Sequence, residues 1–243
     1  MKQRLDVAMF NRRLVESREK AQALILSGKV TVDGQKAAKP GHSVGDSAHI
    51  EISEPLKYVS RGGLKLEAAL AHFSVDPTSK VCLDVGTSTG GFTDCLLQHH
   101  AARVHCVDTG AGQIDWKLRT DSRVVLHEHL NARYLAPSDI GELVQLIVCD
   151  VSFISVSLLI PPLAPLLAVA GDWIILVKPQ FEVGRELVGK GGIVRDPSAH
   201  RAACERVAIA MGDAGFATSL TDSPILGVEG NREFLLHGVR SPR

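Results

Sequence analysis

The sequence predicts a doubly wound, Rossmann-like α/β sheet preceded by a small α+β module, and three observations carry that expectation. Four short apolar runs, 81–85, 102–108, 146–150 and 173–178, each place a polar group at or near their carboxyl end and are separated by helix-length intervals. Strands covered by crossover helices on both faces read as continuous apolar runs, and their alternation with helices marks a parallel sheet. Positive charge is concentrated at the amino end: the first forty residues hold nine Lys/Arg against four Asp/Glu, whereas 61–243 hold seventeen against twenty. Finally, 243 residues with 45% hydrophobic and 22% charged side chains are ordinary globular stock, enough for one large domain and a small appendage. That composition excludes a disordered, collagen-like or disulfide-scaffold chain.

In chain order, Leu5, Ala8, Met9 and Leu14 fall near helical spacing, and a second helix runs from its N-cap Ser17 to a stop at Gly28. Val30-Thr31-Val32 is a short strand entering an Asp33-Gly34 turn, and 49–52 closes a small sheet, so the first module spans 1–53. Residues 54–60, with Pro55 and Lys57-Tyr58, separate two composition regimes and are expected to be a linker, leaving 61–243 for the large sheet. A long helix over 198–212 and strands at 218–220 and 233–239 would complete it. The uncharged stretch 151–171 does not qualify as a membrane span, because Pro161, Pro162 and Pro165 break a helix where lipid offers no replacement hydrogen bonds. It is expected to be a buried strand end followed by a Pro-initiated core helix. The amino end has no apolar signal region. The five cysteines, Cys82, Cys95, Cys106, Cys149 and Cys204, form no C-x-x-C pair. The expectation is a cytoplasmic protein with reduced thiols and no metal site.

After the first strand of the sheet comes Asp84-Val85-Gly86-Thr87-Ser88-Thr89-Gly90-Gly91. The glycines allow a sharp turn and close approach of a ligand, but the spacing is not that of a dinucleotide-binding loop. Asp84 would repel a phosphate and suits the cationic methionine end of S-adenosylmethionine, while Asp108 can accept hydrogen bonds from ribose hydroxyls. The expected cofactor site is therefore Asp84, Gly86, Ser88, Gly90, Gly91 and Asp108, joined by Asp150. Four ionisable residues stand out beside it: Lys65, Asp150, Lys178 and Glu233. Removing a proton from an alcohol needs a base, and lysine serves only if burial or a nearby cation favours its neutral amine. Lys65 next to Lys178 would do this, with Asp150 and Glu233 holding the amines in place.

The segments Ser60-Arg61-Gly62-Gly63-Leu64-Lys65, Asp84 to Asp94, Asp150-Val151-Ser152-Phe153-Ile154-Ser155, Val177-Lys178-Pro179-Gln180-Phe181-Glu182 and Gly230-Asn231-Arg232-Glu233-Phe234 resemble the TlyA, or hemolysin A, family of ribosomal RNA methyltransferases. The resemblance covers nearly the whole chain. It implies a catalytic domain similar to the FtsJ-type RNA 2′-O-methyltransferases, with their Lys-Asp-Lys-Glu tetrad on Lys65, Asp150, Lys178 and Glu233. It also implies an amino-terminal S-four RNA-binding domain, matched by Arg4-Leu5-Asp6, Ser17-Arg18 with Ala21, and 28–34, with Asp33 where that module usually has Asn. S-adenosylmethionine is the implied methyl donor. The ribose 2′-hydroxyl of cytidine in small- or large-subunit ribosomal RNA is the implied acceptor. Arg4, Arg12, Arg13, Arg18, Lys20 and Arg61 are the expected RNA contacts.

Two other classes compete: a non-catalytic RNA-binding assembly factor on the same scaffold, and a pore-forming haemolysin, as the older family name has it. The full tetrad opposes the first; the lack of a clean span or strongly amphipathic basic helix opposes the second. Among transfer chemistries, Asp150-Val151-Ser152-Phe153 lacks the prolines that accompany base-nitrogen methylation. Carbon-5 transfer would need Cys149, which strand alternation turns away from the face of Asp150. Ribose oxygen remains. The oligomeric state is left open.

Overall fold

The computed structural model describes residues 2–52, 56–227 and 229–240. The chain divides into two compact units, Met1–Leu56 and Lys57–Arg243.

The first unit contains β1 (Lys2–Arg4), α1 (Leu5–Asn11), α2 (Arg18–Leu26), β2 (Val30–Val32), β3 (Gln35–Lys36), β4 (Ser43–Gly45) and β5 (Ile50–Ile52). As expected, Ser17 caps α2 by accepting from the Lys20 N–H at 3.2 Å. Asp33 and Gly34 both have positive φ, 50° and 78°, the requirement of a tight hairpin turn between β2 and β3. β5 pairs with the other edge of β2, and β1 pairs antiparallel with β4. Leu5, Met9, Ala21, Ile25 and Val30 fill the core between the helices and the sheet. Within it Asp6 is fully buried, and its carboxylate accepts from Arg4, Gln22 and Arg18. The hydrogen bond from Arg4 foremost holds this carboxyl far below the usual range, against the opposing effect of burial.

The second unit runs α3 (Gly62–Phe73), β6 (Val81–Val85), α4 (Gly91–Gln98), β7 (Arg103–Val107), α5 (Trp116–Arg119), β8 (Val124–His127), α6 (Pro137–Ile140), β9 (Val144–Cys149), α7 (Ile160–Leu163), β10 (Leu167–Val177), α8 (Pro179–Glu182), α9 (Pro197–Asp213), β11 (Phe216–Asp222) and β12 (Phe234–Arg240). One seven-stranded sheet has the order β11-β12-β10-β9-β6-β7-β8. Its β10, β9, β6, β7 and β8 are parallel neighbours, and β12 joins antiparallel to both β10 and β11. Separate apolar clusters cover the two faces, one around Leu83, Ile147 and Trp173, the other around Leu66, Leu96 and Val148.

Three features differ from the sequence reading. β8 was not anticipated; its residues are only partly buried at the sheet edge, and its apolar run, Val124-Val125-Leu126, is only three residues long. The apolar stretch 151–171 holds a four-residue helix, α7, flanked by single 3-10 turns, and its last residues begin β10. Closely spaced prolines each remove a donor, which keeps the helix short. Of the expected linker, 54 and 55 lie outside the described residues and Leu56 closes the first unit, while 57–60 belong to the second: Tyr58 is 1% exposed, and the Val59 N–H donates to Asp94 Oδ2 at 2.8 Å. An aromatic directly after Lys57, in a short segment behind Pro55, gives no sign of this burial.

No helix among the described residues is long and apolar enough to cross a membrane. All five cysteines are buried free thiols, and Cys149 Sγ accepts from Trp173 Nε1 inside the core at 3.5 Å.

Candidate active site

Parallel strands bring their carboxyl ends to one edge of a sheet, and ligands of open α/β sheets bind there. Here Val85 pairs with Cys149 and with Val107, and Cys149 pairs with Ile175, so the residues just after β6, β7 and β9 stand side by side and β10 runs on to Val177 beyond them. The antiparallel β12 brings its amino end to the same edge: one residue beyond the pair Val177↔Phe234, Lys178 and Glu233 occupy neighbouring positions.

At the β6 and β7 ends the site is built from backbone. Gly86 has φ +84°, and a Cβ there would stand 2.5 Å from the Asp150 carbonyl oxygen. Gly90 has φ +93°, with Leu118 Cδ1 2.4 Å from where its Cβ would be. Both positions exclude a side chain on conformation and on space. Gly91 opens α4. Between the glycines, Ser88 takes φ +49°, and its N–H donates to Asp108 Oδ2 at 2.8 Å. Asp108 Oδ1 accepts from the Gly110 N–H at 2.7 Å, so the carboxylate fastens the two loops and keeps one lone pair per oxygen for a ligand.

These loops enclose a cavity of ≈ 450 Å³ whose wall includes Gly86, Ser88, Asp108, Asn131, Asp150 and Phe153. Of the expected cofactor residues, Gly86, Ser88, Asp108 and Asp150 are on that wall; Asp84, Gly90 and Gly91 are not, and shape the loop from behind. Asp84 is fully buried, with Oδ2 accepting from Thr93 Oγ1 at 2.6 Å and Oδ1 without a hydrogen-bond partner among the described residues. Burial pushes its carboxyl up to about 7. An orphaned buried carboxylate oxygen behind a glycine cradle fits a cofactor with one cationic end, and the free lone pairs of Asp108 fit its ribose.

At the β9, β10 and β12 ends the site is built from charge. Lys178 Nζ lies 2.6 Å from Asp150 Oδ1 and donates to Ser152 Oγ at 2.9 Å. Lys65, on the first turn of α3, forms an ion pair with Glu233, and both are almost completely buried. All four expected residues are thus engaged, and each lysine is ion-paired with its own carboxylate. Burial selects this arrangement, because an unpaired charge at such a depth costs far more than a paired one.

Sequence reasoning missed the aromatic at this edge. Phe153 is 92% exposed with φ +67°, and its ring sits 5.4 Å from that of Phe181. A bulky side chain in the left-handed region is strained, and such strain gathers at functional sites. Its position directly after the Asp150 strand end was the available signal. Ser152, the hydroxyl partner of Lys178, was missed likewise.

In the first unit the expected RNA contacts divide. Arg13 and Lys20 are exposed. Arg4 and Arg18 pair with Asp6 while about half of each side chain stays exposed, at 55% and 49%. Arg12 is instead a structural tie: its guanidinium donates to the carbonyls of Ala48, Gly45 and Asp46 at 2.6, 2.9 and 2.9 Å. Arg61 is exposed at the start of α3, in the second unit.

The parallel sheet with its carboxyl-edge cavity and charged pairs defines a methyltransferase-type α/β domain. The chain belongs to the FtsJ-like methyltransferase family, which it matches over residues 58–240, and residues 3–50 match the S4 domain. It is 46% identical over 97% of its length to YqxC of Bacillus subtilis, provisionally named an rRNA methyltransferase, covering 85% of that protein. It is 43% identical to Hemolysin A of Brachyspira hyodysenteriae, over 97% of this chain and 99% of the relative. With the 16S/23S rRNA (cytidine-2′-O)-methyltransferase TlyA of Mycobacterium tuberculosis it shares 42% over 96% of this chain and 88% of the relative. A solved structure from Streptococcus thermophilus, provisionally named a hemolysin, superposes with a TM-score of 0.76 at 44% identity, covering 99% of this chain and 89% of the other. The fold alone is shared with magnesium protoporphyrin IX methyltransferase from Synechocystis, solved with bound SAH, at TM-score 0.52 and 18% identity over 74% of this chain and 83% of that one.

Proposed function

We propose that this methyltransferase transfers the methyl group of S-adenosylmethionine to the ribose 2′-hydroxyl of cytidine in ribosomal RNA, acting in the cytoplasm. The observation that carries the reading is the pair of lysine–carboxylate contacts at the carboxyl edge of the sheet, Lys178 with the cavity-lining Asp150, and Lys65 with Glu233. When bound, S-adenosylmethionine supplies an electrophilic methyl on a sulfonium. The chain's own residues do the rest. Gly86 and Ser88 admit the cofactor's close approach, Asp108 accepts from its ribose, and Asp84 offers its unpartnered oxygen toward the cationic end. The Lys178 amine, held by Asp150 and Ser152, orients the acceptor hydroxyl and, once its own proton has passed to the Asp150 carboxylate, takes the acceptor's proton as oxygen attacks. Lys65 and Glu233 fix the electrostatics beside it. Phe153 gives the acceptor base a face to stack on.

RNA docks in this reading through the exposed cations of the first unit, Arg4, Arg13, Arg18 and Lys20, with Arg61 near the start of α3. Intact tetrad pairing gives no support to a scaffold without catalysis. The experiment is transfer of radiolabelled methyl from S-adenosylmethionine to purified ribosomal subunits. Label should appear in the RNA with wild-type protein; no label in the RNA of either subunit contradicts the proposal.

A further inference from the structure

α8 follows Lys178 directly, and three side chains of this turn meet the segment after β9 in order. Lys178 reaches Ser152, Phe181 packs on Phe153, and Glu182 reaches 155–156. Glu182 is 2% exposed. Its Oε2 accepts from Ser155 Oγ at 2.6 Å and its Oε1 from the Val156 N–H at 2.8 Å. Neither oxygen lines the cavity, and the chemistry of methyl transfer has no task for a carboxylate at this place. A carboxylate so deep persists only where its hydrogen bonds are made, and here both are spent on one loop. Burial raises its carboxyl above the usual range in spite of them. Phe153 lies between the two points where α8 grips that loop, and a left-handed bulky residue holds only where its surroundings over-determine it.

We propose that Glu182 is a positioning residue of the transfer site: it clamps 155–156 so that Phe153 stands in its strained conformation as the platform for the acceptor base. The proposal rests on the reading of Phe153 given above, and it deepens that reading by naming what sets the RNA-facing loop without touching substrate.

The test uses the full chain with three substitutions. In Glu182→Gln the amide oxygen still accepts from Val156 and the amide nitrogen donates to Ser155, so both links survive. In Glu182→Asp the carboxylate is one methylene too short to make both. Ser155→Ala leaves the carboxylate in place, removes one link, and guards against a variant that fails to fold. Hydrogen exchange at the Val156 amide reads the clamp itself, without any methyl transfer. Affinity for ribosomal subunits, KM and kcat per folded molecule, and affinity for S-adenosylmethionine read its consequence.

Faster Val156 exchange is expected in Glu182→Asp. So is subunit binding weakened about tenfold, the scale of one base stack, with a matching rise in KM, a smaller change in kcat and nearly unchanged cofactor affinity. Ser155→Ala should show the same pattern more weakly, and Glu182→Gln should restore wild-type values. Unchanged subunit affinity and KM in Glu182→Asp overturn the proposal, as does an equal loss of cofactor and RNA affinity that follows thermal stability alone. Wild-type protein that binds subunits but transfers no methyl overturns the functional reading instead, and the binding and exchange data still decide the role of Glu182.

Discussion

At the ends of β6 and β7 the site is made of main chain: Gly86 against the Asp150 carbonyl, and the Ser88 and Gly110 N–H groups on Asp108. At the ends of β9 and β10 and the start of β12 it is made of side-chain charge, Lys178 with Asp150 and Lys65 with Glu233. The contrast matches the two tasks of the proposed reaction. A ligand held throughout the reaction is served by rigid backbone and shape, whereas a proton that moves during it needs groups able to change charge. The two halves should therefore fail differently, the first by losing affinity and the second by losing rate.

The largest effect is expected at Lys178. Replacement by Ala should lower methyl transfer by roughly 10²–10⁴-fold, the scale for losing a general base, with cofactor affinity nearly intact by calorimetry. Arg should not rescue it, because a guanidinium keeps its proton. Near wild-type transfer in Lys178→Arg would make the residue a fixed positive charge and remove the contrast in mechanism.

Gly86→Ala is the counterpart on the backbone side. Its Cβ meets a carbonyl rather than a flexible side chain, and φ +84° is unfavourable for alanine, so the loop must shift. With strain of about 1–3 kcal/mol at such a position, cofactor affinity should fall by roughly tenfold to a hundredfold. Residual turnover at saturating cofactor should be affected less. Unchanged affinity would show that the loop does not approach the ligand.

Asp84 sharpens the comparison, because it is a charge buried in the backbone-built half. Its carboxyl rises from the usual value near 4 to about 7, so between those values the folded chain holds a proton that the unfolded chain has released. Stability should therefore fall as pH rises through that window, and in Asp84→Asn this part of the pH dependence should disappear from urea unfolding curves. A cationic ligand end beside Asp84 favours the carboxylate, so cofactor binding near pH 6–7 should release protons, a fraction of one per site by this reasoning. Binding enthalpies that do not vary with buffer ionisation would separate Asp84 from the ligand.

The smallest effect is expected at Ser152, whose hydroxyl accepts one hydrogen bond from Lys178 Nζ at 2.9 Å. Ser152→Ala should cost about threefold to tenfold in rate, the range of a single such bond. A loss as large as that of Lys178→Ala would mean that the hydroxyl, and not the amine, meets the substrate.

The halves also differ in how legible they are in the sequence. Glycines with no other reason to cluster, directly after an apolar run, announce the β6 loop, and the central strands announce themselves by continuous hydrophobicity. The charged residues are visible as polar strand ends, but which lysine meets which carboxylate depends on sheet order and on α3, and residue spacing holds neither. The pairing of Lys65 with Glu233, 168 residues apart in the chain, is a case in point. Arg12 and Asp108 show the same limit. Their types fit RNA and ribose, and only the fold reveals the backbone groups they already hold. Phe153 is hard to read for the opposite reason: apart from its place after the Asp150 strand end, an aromatic in a largely apolar stretch reads as core, and it is the left-handed backbone that turns it outward.

The most direct test is the chemical position of the transferred methyl. Ribosomal subunits incubated with the protein and S-adenosylmethionine, digested to nucleosides and analysed by mass spectrometry, should yield cytidine carrying the added methyl on its ribose fragment, and none of it with Lys178→Ala. A methyl on the base fragment, or on the ribose of a nucleoside other than cytidine, would contradict the account.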